Sequence, residues 1–449
     1  MDAFVSKKRR RTSLSDEVAL VMPLQQDGDE DSTEIRLACL ASLHPDISQD
    51  ALLDALLACQ GHVKSASQHL SGIASQPLKK SAKTVGYQSS LTNLIKSDGT
   101  KFQADSSKSL TRKGKTLFLY SPQDVEANTP CSIIHNFLPA AEADSLLMEL
   151  LEESKTFGRE TFNLFDRTVE SPHTMSFFVN SMQEIQDQKT SYVYNGSRIK
   201  DVRQSPPETL KVSPKVASAV NAEIQRRIKA FYPNGEKLKY QSLGPWKPNT
   251  AFVNCYDGPQ ESVGYHSDQL TYLGPRAVIG SISLGVAREF RVRRIVPQSA
   301  ASDPKDTSGA DSQGQISIHL PHNSLLVMHA EMQEQWKHSV APANAIDPHP
   351  LAGNKRINIT YRYYKDAFHP RFTPRCHCGI ATVLRCVQRK VENLGRYMWM
   401  CHAGYTPGQK GCSFFKWADF DEDGEPPWKQ AVADTKVEEP TKIKADENP

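Results

Sequence analysis

Polar and apolar residues alternate strictly in the stretch Arg356-Ile357-Asn358-Ile359-Thr360-Tyr361-Arg362. Because successive side chains of a β-strand point to opposite faces, the two arginines, the amide and the hydroxyl share one face. Arginine binds carboxylates through paired hydrogen bonds and keeps its charge. The stretch therefore predicts a strand whose apolar face packs on a core and whose polar face grips an anion. The alternative is a polar face open to solvent, the default in antiparallel sheets.

A second pattern, upstream of this strand, supplies candidate metal ligands. Tyr265-His266-Ser267-Asp268 contains a His-x-Asp, and in an extended backbone His266 and Asp268 point the same way. His338 follows further along the chain. Two histidines and one carboxylate form the facial triad that holds non-haem Fe(II) and leaves coordination positions open. A lone His-x-Asp is common, and His338 alone is equally compatible with a surface histidine. Their joint occurrence in the β-rich half favours an iron site.

The bulk composition limits the class of protein. The chain has 449 residues, a formal net charge of +3 and nine cysteines. This length allows roughly two or three domains, and so small a net charge identifies no partner. The sequence shows no signal-peptide pattern and no apolar run long enough to span a bilayer. We therefore expect an intracellular protein with no membrane partner, in which clustered cysteines bind metal rather than form disulfides.

The N-terminal third divides by composition. Residues 1–31 form a disordered polar leader whose basic run, residues 7–11, is either a solvated tail or a nuclear import signal. We expect import, and hence a nuclear location. Residues 32–72 carry three amphipathic stretches separated by a proline and a glycine, which predicts a three-helix bundle. Residues 73–113, rich in serine, lysine and glutamine, are expected to be a flexible linker.

The remaining chain is expected to form a large globular domain, a cysteine-rich module and a tail. Residues 114–369 contain short alternating segments typical of a β-barrel or sandwich. Helices are expected over Ala140–Ser154 and roughly residues 214–231, and residues 299–315 read as an inserted surface loop. Residues 373–419 hold five of the cysteines, and residues 420–449 are charged and expected to be disordered.

The two patterns of the β-rich half resemble the AlkB family of DNA and RNA repair dioxygenases, in its nuclear eukaryotic branch. The anchors in this sequence are Asn254-x-Tyr256 with Gly258, His266-x-Asp268, residues 281–285 continuing to Arg288 and Phe290, residues 323–328, His338, and residues 356–362. The resemblance implies a double-stranded β-helix, or jelly-roll, as the catalytic core of a multidomain α+β protein. It also implies that His266, Asp268 and His338 bind Fe(II). The residues that would hold the co-substrate 2-oxoglutarate are Asn254, Tyr256, Arg356, Asn358 and Arg362, with one arginine on each carboxylate.

The implied activity is oxidative demethylation of alkylated bases in DNA, using Fe(II), O2 and 2-oxoglutarate and releasing formaldehyde and succinate. RNA or protein as the substrate, and a non-catalytic ubiquitin-reading DNA-binding adaptor, remain alternatives. Repair members carry acidic residues directly after His-x-Asp, whereas Gln269-Leu270 stands here, so the base is not identified. A base inside a duplex cannot reach a buried metal, which implies single-stranded DNA or a flipped base.

Residues 157–205 precede the core strands, where this family builds its nucleotide-recognition lid. Aromatic residues interleaved with basic ones suit stacking on a base and binding of phosphates. The alternative is ordinary strand aromatics with solvated charges. The candidates are Arg159, Arg167, His173, Phe177, Phe178, Tyr192, Tyr194, Arg198, Lys200 and Arg203.

The cysteine-rich module resembles the GRF zinc finger. The matching strings are Cys376-His377-Cys378-Gly379, Gly395-Arg396-Tyr397, Cys401, Cys412 and Phe414-Phe415-Lys416-Trp417. Four thiolates suit a closed tetrahedral Zn(II) site, for which we select Cys376, Cys378, Cys401 and Cys412, with Cys386 and His377 as alternatives. The resemblance implies binding of single-stranded DNA. The expected surface comprises Arg375, Arg385, Arg389, Lys390, Arg396, Lys410 and Lys416 with Tyr397, Trp399, Phe414 and Trp417.

Two further resemblances concern partners. The layout of residues 32–72 resembles the ubiquitin-binding CUE domain, although His44-Pro45 stands where that family usually has Phe-Pro. The alternative is a small docking bundle with another partner. Residues Gln88 to Ile95 resemble a degenerate sliding-clamp box without its paired aromatics, and the alternative is a chance apolar spot in a linker.

Overall fold

The structure is a computed structural model. It describes residues 40, 44, 49–59, 62–73, 115–164, 167–182, 192–194, 197–199, 201–297, 314–405 and 409–430. The predicted import signal (residues 7–11), the clamp-like segment (88–95) and almost all of the predicted insertion (299–315) lie outside the described residues. Within the described ranges, no helix is both long and apolar enough to cross a membrane.

The helices and strands are numbered in chain order. The helices are α1 (Gln49–Ala58), α2 (Val63–Ile73), α3 (Pro122–Asn128), α4 (Ala140–Glu153), α5 (Pro207–Phe231) and α6 (Met332–Gln335). The strands are β1 (Thr116–Leu119), β2 (Cys131–His135), β3 (Thr161–Leu164), β4 (Arg167–Glu170), β5 (Thr174–Val179), β6 (Val193–Tyr194), β7 (Ser197–Arg198), β8 (Val202–Gln204), β9 (Thr250–Asp257), β10 (Val263–His266), β11 (Ile279–Gly285), β12 (Arg288–Arg294), β13 (Gln315–Leu320), β14 (Ser324–Met328), β15 (Trp336–Val340), β16 (Lys355–Arg362), β17 (Val383–Cys386), β18 (Tyr397–Met400) and β19 (Phe415–Trp417).

Helices α1 and α2 pack on a small apolar core of their own. Leu52 and Leu56 of α1 meet Ala66 and Leu70 of α2, and Leu40 completes the cluster. These are two of the three helices expected for residues 32–72. Most of the segment expected to form the remaining helix, which precedes α1, lies outside the described residues. The three-helix bundle therefore stays a prediction.

Two facing sheets form the jelly-roll core. A five-stranded sheet has the order β1-β13-β12-β15-β10, and a seven-stranded sheet has the order β2-β14-β11-β16-β9-β5-β8. Apolar side chains from both sheets, such as Val292 of the first and Phe252 of the second, fill the space between them. The predicted jelly-roll is therefore present, and the candidate site lies between its sheets.

Strand β16 is buried on both faces. Helices α4 and α5 cover the outer face of the seven-stranded sheet, where Ile357 and Ile359 are fully buried in a second apolar core. The polar residues of β16 consequently face inwards, and Arg356, for example, is 1% exposed. The solvent-exposed alternative for this polar face is therefore wrong.

Helix α5 begins seven residues before the predicted start at residue 214 and runs through Pro214. The Glu149 side chain, on α4, accepts the backbone N–H of Glu208 at 2.8 Å and that of Thr209 at 3.1 Å. These N–H groups of a first helical turn otherwise have no partner inside the helix. A cap from a distant helix leaves no local signal, which is why the sequence pattern missed this turn.

The cysteine-rich module folds around the three-stranded sheet β17-β18-β19. The chain that follows, predicted to be disordered from residue 420, packs back on the jelly-roll as far as it is described. Trp428 Nε1 donates to the Ala367 carbonyl at 2.7 Å, and the Glu422 carbonyl accepts the Tyr240 N–H at 3.1 Å. Residues 420–430 thus differ from the expectation because two aromatic side chains, Phe420 and Trp428, anchor a charged segment.

Candidate metal and anion site

Strand pairing brings the three predicted metal ligands together. Strands β10 and β15 are antiparallel neighbours in which His266 lies directly opposite His338. Asp268 follows β10 and is 6% exposed, while His338 is 4% exposed. One possible ligand atom from each of the three residues lies within 4.8 Å of the others. Asp268 Oδ1 is 3.3 Å from His338 Nε2 and 3.7 Å from His266 Nε2.

The carboxyl group of Asp268 is held in its ionised form. Its Oδ2 accepts hydrogen bonds from Nε and Nη2 of Arg362 at 2.9 and 2.5 Å. Burial by itself raises the pKa of Asp268, but the charge of Arg362 and the neighbouring rings of His338 and His266 hold this pKa well below its usual value. Asp268 therefore presents a permanent negative charge to the two imidazoles.

The donor set fits a divalent transition metal. His266 Nδ1 lies 2.8 Å from the Gly264 carbonyl, which can only accept, so Nδ1 carries the proton and Nε2 keeps its lone pair. Asp268 Oδ1 is buried and accepts no well-formed hydrogen bond from the described residues. A buried carboxylate oxygen without a hydrogen bond is costly, and a metal ion held between it and the two imidazoles would satisfy it. Two histidines and one carboxylate are the ligand set of non-haem Fe(II).

Arg356 forms a buried anion receptor on the same inner surface. Its Nη2 donates to Ser283 Oγ and Asn358 Oδ1, both at 2.8 Å. Its Nε and Nη1 have no hydrogen-bond partner among the described residues. Burial lowers the pKa of Arg356 to about 10, which still leaves it charged near neutral pH. Because buried donors are normally paired, two open donors on one buried guanidinium point to an anionic ligand.

The second arginine of the row has a different environment from the one expected. The resemblance implies that Arg362 takes a carboxylate of 2-oxoglutarate, whereas the structure pairs Arg362 with Asp268. Its guanidinium also lies 4.7 Å from the ring centroid of Phe252. The structure therefore shows Arg362 as the residue that orients the carboxylate of Asp268, a candidate metal ligand.

His173 supports the two upstream candidates of the anion site. Its ring stacks on Tyr256 with centroids 4.7 Å apart, and its Nε2 lies 3.2 Å from Asn254 Oδ1. Nδ1 lies 3.2 Å from the Ser262 carbonyl. Burial lowers the pKa of His173 to about 4, so the ring is neutral near neutral pH. The sequence pattern placed His173 in the lid; its contacts place it beneath Asn254 and Tyr256.

Several other lid candidates are also structural. Phe177 and Phe178 are 1% and 0% exposed and belong to two different apolar cores, so neither is available to stack on a base. Arg159 pairs with Glu261, and Arg203 pairs with Asp201 and Glu153. Phe177 and Phe178 are thus buried strand aromatics, and Arg159 and Arg203 are ion-paired arginines.

The four selected cysteines of the finger converge on one point. One sulfur each from Cys376, Cys378, Cys401 and Cys412 lies within 4.8 Å of the others. The backbone N–H groups of Ala403 and Cys412 lie 3.5 and 3.4 Å from Cys401 Sγ. These four thiol groups fit a closed Zn(II) site.

The two alternative zinc ligands lie apart from this cluster. His377 meets Phe414 edge-to-face with ring centroids 5.4 Å apart. The Cys386 thiol lies 3.7 Å from the Val387 carbonyl, and burial raises its pKa far above the usual value. A thiol that resists ionisation in this way is a poor metal ligand.

The exposed surface of the finger differs from the expected one. Tyr397 and Trp399 are 3% and 2% exposed and pack toward the jelly-roll, so they are not stacking residues. Phe415, which the expected surface omitted, is 49% exposed. It meets Trp417 edge-to-face at 4.8 Å, and the Arg396 guanidinium lies 3.7 Å from the Trp417 ring centroid. The alternation of side chains along β19 could have identified Phe415, because it places Phe415 and Trp417 on the same face of the strand.

Comparison with known proteins identifies both domains. The family model described as "2OG-Fe(II) oxygenase superfamily" matches residues 130–362, and that described as "GRF zinc finger" matches residues 374–421. The chain is similar to the "DNA oxidative demethylase ALKBH2" of Arabidopsis thaliana, with 31% identity over 131 residues, which cover 27% of this chain and 40% of the relative. It is also similar to the "Alpha-ketoglutarate-dependent dioxygenase alkB homolog 3" of Mus musculus, with 33% identity over 128 residues, which cover 28% of this chain and 40% of the relative.

These curated relatives are matched over only 40% of their own length. A solved structure named "The structure of OsALKBH1" aligns with a TM-score of 0.34 and 19% identity over 53% of this chain and 97% of that chain. The two family matches confirm the predicted oxygenase and zinc-finger domains, and they imply Fe(II), 2-oxoglutarate and Zn(II).

Proposed function

Because this chain belongs to the 2OG-Fe(II) oxygenase superfamily, we propose that it oxidatively demethylates alkylated bases in DNA with Fe(II), O2 and 2-oxoglutarate, releasing formaldehyde and succinate. The observation that carries this proposal is the convergence of His266, Asp268 and His338. These three residues would hold Fe(II). When bound there, the metal supplies the oxidising chemistry that couples decarboxylation of 2-oxoglutarate to hydroxylation of an N-methyl group.

The residues of the inner surface bind and orient the co-substrate. Arg356, with two open donors, takes one carboxylate of 2-oxoglutarate, and Asn358 keeps the guanidinium in place. Arg362 holds the Asp268 carboxylate in one orientation, and we retain it as a contact for the second carboxylate. Asn254 and Tyr256 of β9 lie directly opposite Asn358 and Arg356 of β16, on the same face of the sheet.

DNA as the substrate rests on two supports. One relative is named a DNA oxidative demethylase. The finger exposes Phe415 beside Arg396, Lys416 and Trp417, an arrangement that suits stacking and phosphate binding on a single strand.

Mass spectrometry of methylated oligonucleotides tests the function. The protein, loaded with Fe(II) and 2-oxoglutarate, is incubated with single- and double-stranded DNA and RNA. We expect loss of methyl mass from DNA and formation of succinate. His266→Ala should abolish both, while the exposed His69→Ala on α2 should change neither. Loss of methyl groups from RNA alone would reassign the substrate, and no 2-oxoglutarate turnover with any substrate would refute the oxygenase proposal.

We propose a nuclear location from the basic run at residues 7–11. We also propose that residues 32–72 bind ubiquitin. We further propose that Gln88 to Ile95 make a weak contact with a sliding clamp. Imaging of a fluorescent fusion with residues 7–11 neutralised, and ubiquitin titration of the full chain, would test the first two. A uniform cellular distribution of the unaltered fusion, or absence of ubiquitin binding, would contradict them.

A further inference from the structure

One side chain of the zinc finger contacts residues 266–268, the segment that carries two of the proposed iron ligands. Gln388 lies in the loop after β17, and its amide nitrogen donates to Ser267 Oγ at 3.2 Å and to the Gln333 carbonyl at 2.7 Å. Ser267 is the residue between the two ligands of the His-x-Asp. The finger therefore touches the peptide that carries His266 and Asp268.

Both acceptors of Gln388 are themselves bonded to the segments that carry the ligands. Ser267 Oγ donates to the carbonyl of Trp336 at 3.1 Å, and Trp336 begins the strand that carries His338. Gln333 Oε1 accepts the backbone N–H of Asp268 at 2.6 Å. Gln388 is thus within two hydrogen bonds of the backbone around each of the three proposed ligands.

A second hydrogen bond from the finger reaches α6, the helix that contains Gln333. Tyr397 of β18 donates through its hydroxyl to Glu334 Oε1 at 2.9 Å, and both residues are buried. Glu334 and Gln333 belong to α6, which leads directly into β15 and His338. The finger therefore holds α6 at two points, through Gln388 and Tyr397.

The Gln388 loop is itself part of the finger hairpin. The Val387 N–H donates to the Arg396 carbonyl at 2.8 Å, and the Gly395 N–H donates to the Val387 carbonyl at 2.9 Å. The position of Gln388 consequently depends on the folded finger. Residues that hydrogen-bond a metal ligand directly typically change metal affinity by about 10–100-fold when they are replaced. Gln388 bonds to Ser267, the residue between two proposed ligands.

We propose that the zinc finger is a positioning element of the iron site, in which Gln388 holds the loop of Ser267 and Asp268 against α6. Loss of this donor should weaken Fe(II) binding. This inference rests on the proposed iron site, and it assigns the finger a role beyond contact with nucleic acid.

Anaerobic titration of the full-length, zinc-loaded chain with Fe(II) tests the inference. Gln388→Met keeps the size and neutrality of the side chain and removes the donor, and we expect Fe(II) affinity to fall by about tenfold. The visible spectrum of Co(II) bound at the same three ligands should change as well. Val391→Ala, an exposed substitution in the same finger, is the matched control and should change neither measurement. Unchanged affinity and spectrum in Gln388→Met would overturn the inference.

A double-mutant cycle separates positioning from general damage to the finger. Ser267→Ala removes one acceptor without altering the finger, and we expect it to weaken Fe(II) binding. Gln388→Met should then cost less in the Ser267→Ala background than alone, because the shared hydrogen bond is already lost. Strictly additive effects would overturn the inference even where Gln388→Met lowers zinc content. If the unaltered chain fails to bind Fe(II), the proposed function fails instead.

Discussion

Arg362 forms a two-pronged hydrogen bond with a single oxygen of Asp268, through Nε at 2.9 Å and Nη2 at 2.5 Å. The two residues are 94 positions apart in the chain: Arg362 ends β16 of the seven-stranded sheet, and Asp268 follows β10 of the five-stranded sheet. The contact fixes the orientation of the carboxylate and keeps its second oxygen directed at His266 and His338. Arg362, the last residue of the predicted anion-binding row, is thereby hydrogen-bonded to the candidate metal site.

Replacement of Arg362 should therefore weaken metal binding more than it destabilises the fold. Arg362→Lys keeps the charge and loses the planar fork, and we expect Fe(II) affinity to fall by about tenfold or more. Anaerobic Fe(II) titration measures this loss. Arg203→Lys, which alters an arginine paired with more exposed carboxylates, is the control. Equal Fe(II) affinities of Arg362→Lys and the unaltered chain would show that Arg362 does not orient Asp268.

His173 should make the stability of the protein depend on pH in mildly acidic solution. Burial lowers its folded-state pKa to about 4, against about 6.5 in an unfolded chain. Between these values the unfolded state binds more protons, so the free energy of unfolding falls as the pH is lowered through this window. His173→Phe, which can keep the stack on Tyr256, should remove up to about 3 kcal/mol of that dependence.

Urea unfolding across the same pH window checks the contribution of His173. The exposed His69→Ala serves as the control and should leave the slope of the unfolding free energy against pH unchanged. A slope for His173→Phe that matches the unaltered chain would mean that His173 is not neutral in the folded protein.

The cysteines of the finger should fall into two classes. Cys401→Ser removes a sulfur from the four-cysteine cluster and should abolish stoichiometric zinc binding. Because Tyr397 and Trp399 pack toward the jelly-roll, the same change should also lower the melting temperature of the full chain. Cys386→Ser should retain zinc, since Cys386 lies outside the cluster. Zinc analysis with thermal unfolding distinguishes these cases, and zinc loss in Cys386→Ser would contradict the assignment.

Phe415 should contribute to binding of single strands, whereas Tyr397 should not contact them. Phe415→Ala removes an exposed ring and should weaken affinity for a single-stranded oligonucleotide by about 1–3 kcal/mol, the usual cost of one lost stacking contact. Fluorescence anisotropy at fixed salt measures this affinity. Val391→Ala, which also removes exposed apolar area from the finger, is the matched control. Equal affinities of these two variants would exclude Phe415 from the nucleic-acid surface.

The site was predictable where its chemistry is local. The alternation in residues 356–362 predicted the polar row that is buried here. Residue type with spacing predicted His266, Asp268 and His338, and the resemblance to the GRF zinc finger predicted the four cysteines; the structure brings each set together. The burial of Phe177, Phe178, Tyr397 and Trp399 was not predictable in this way. An aromatic side chain in a strand is compatible with either a core or a stacking surface, and only the packing of distant segments selects between them.

The sequence by itself determined the ligand chemistry, the order of the domains and the face of β16 on which each side chain lies. These properties depend on residue type and on backbone periodicity, which act over a few neighbouring residues. The tertiary structure decided which polar groups are partners. Arg362 with Asp268, Gln388 with Ser267 and Tyr397 with Glu334 join residues 94, 121 and 63 positions apart. Such pairings depend on which distant segments the fold brings into contact, and no local pattern encodes that choice.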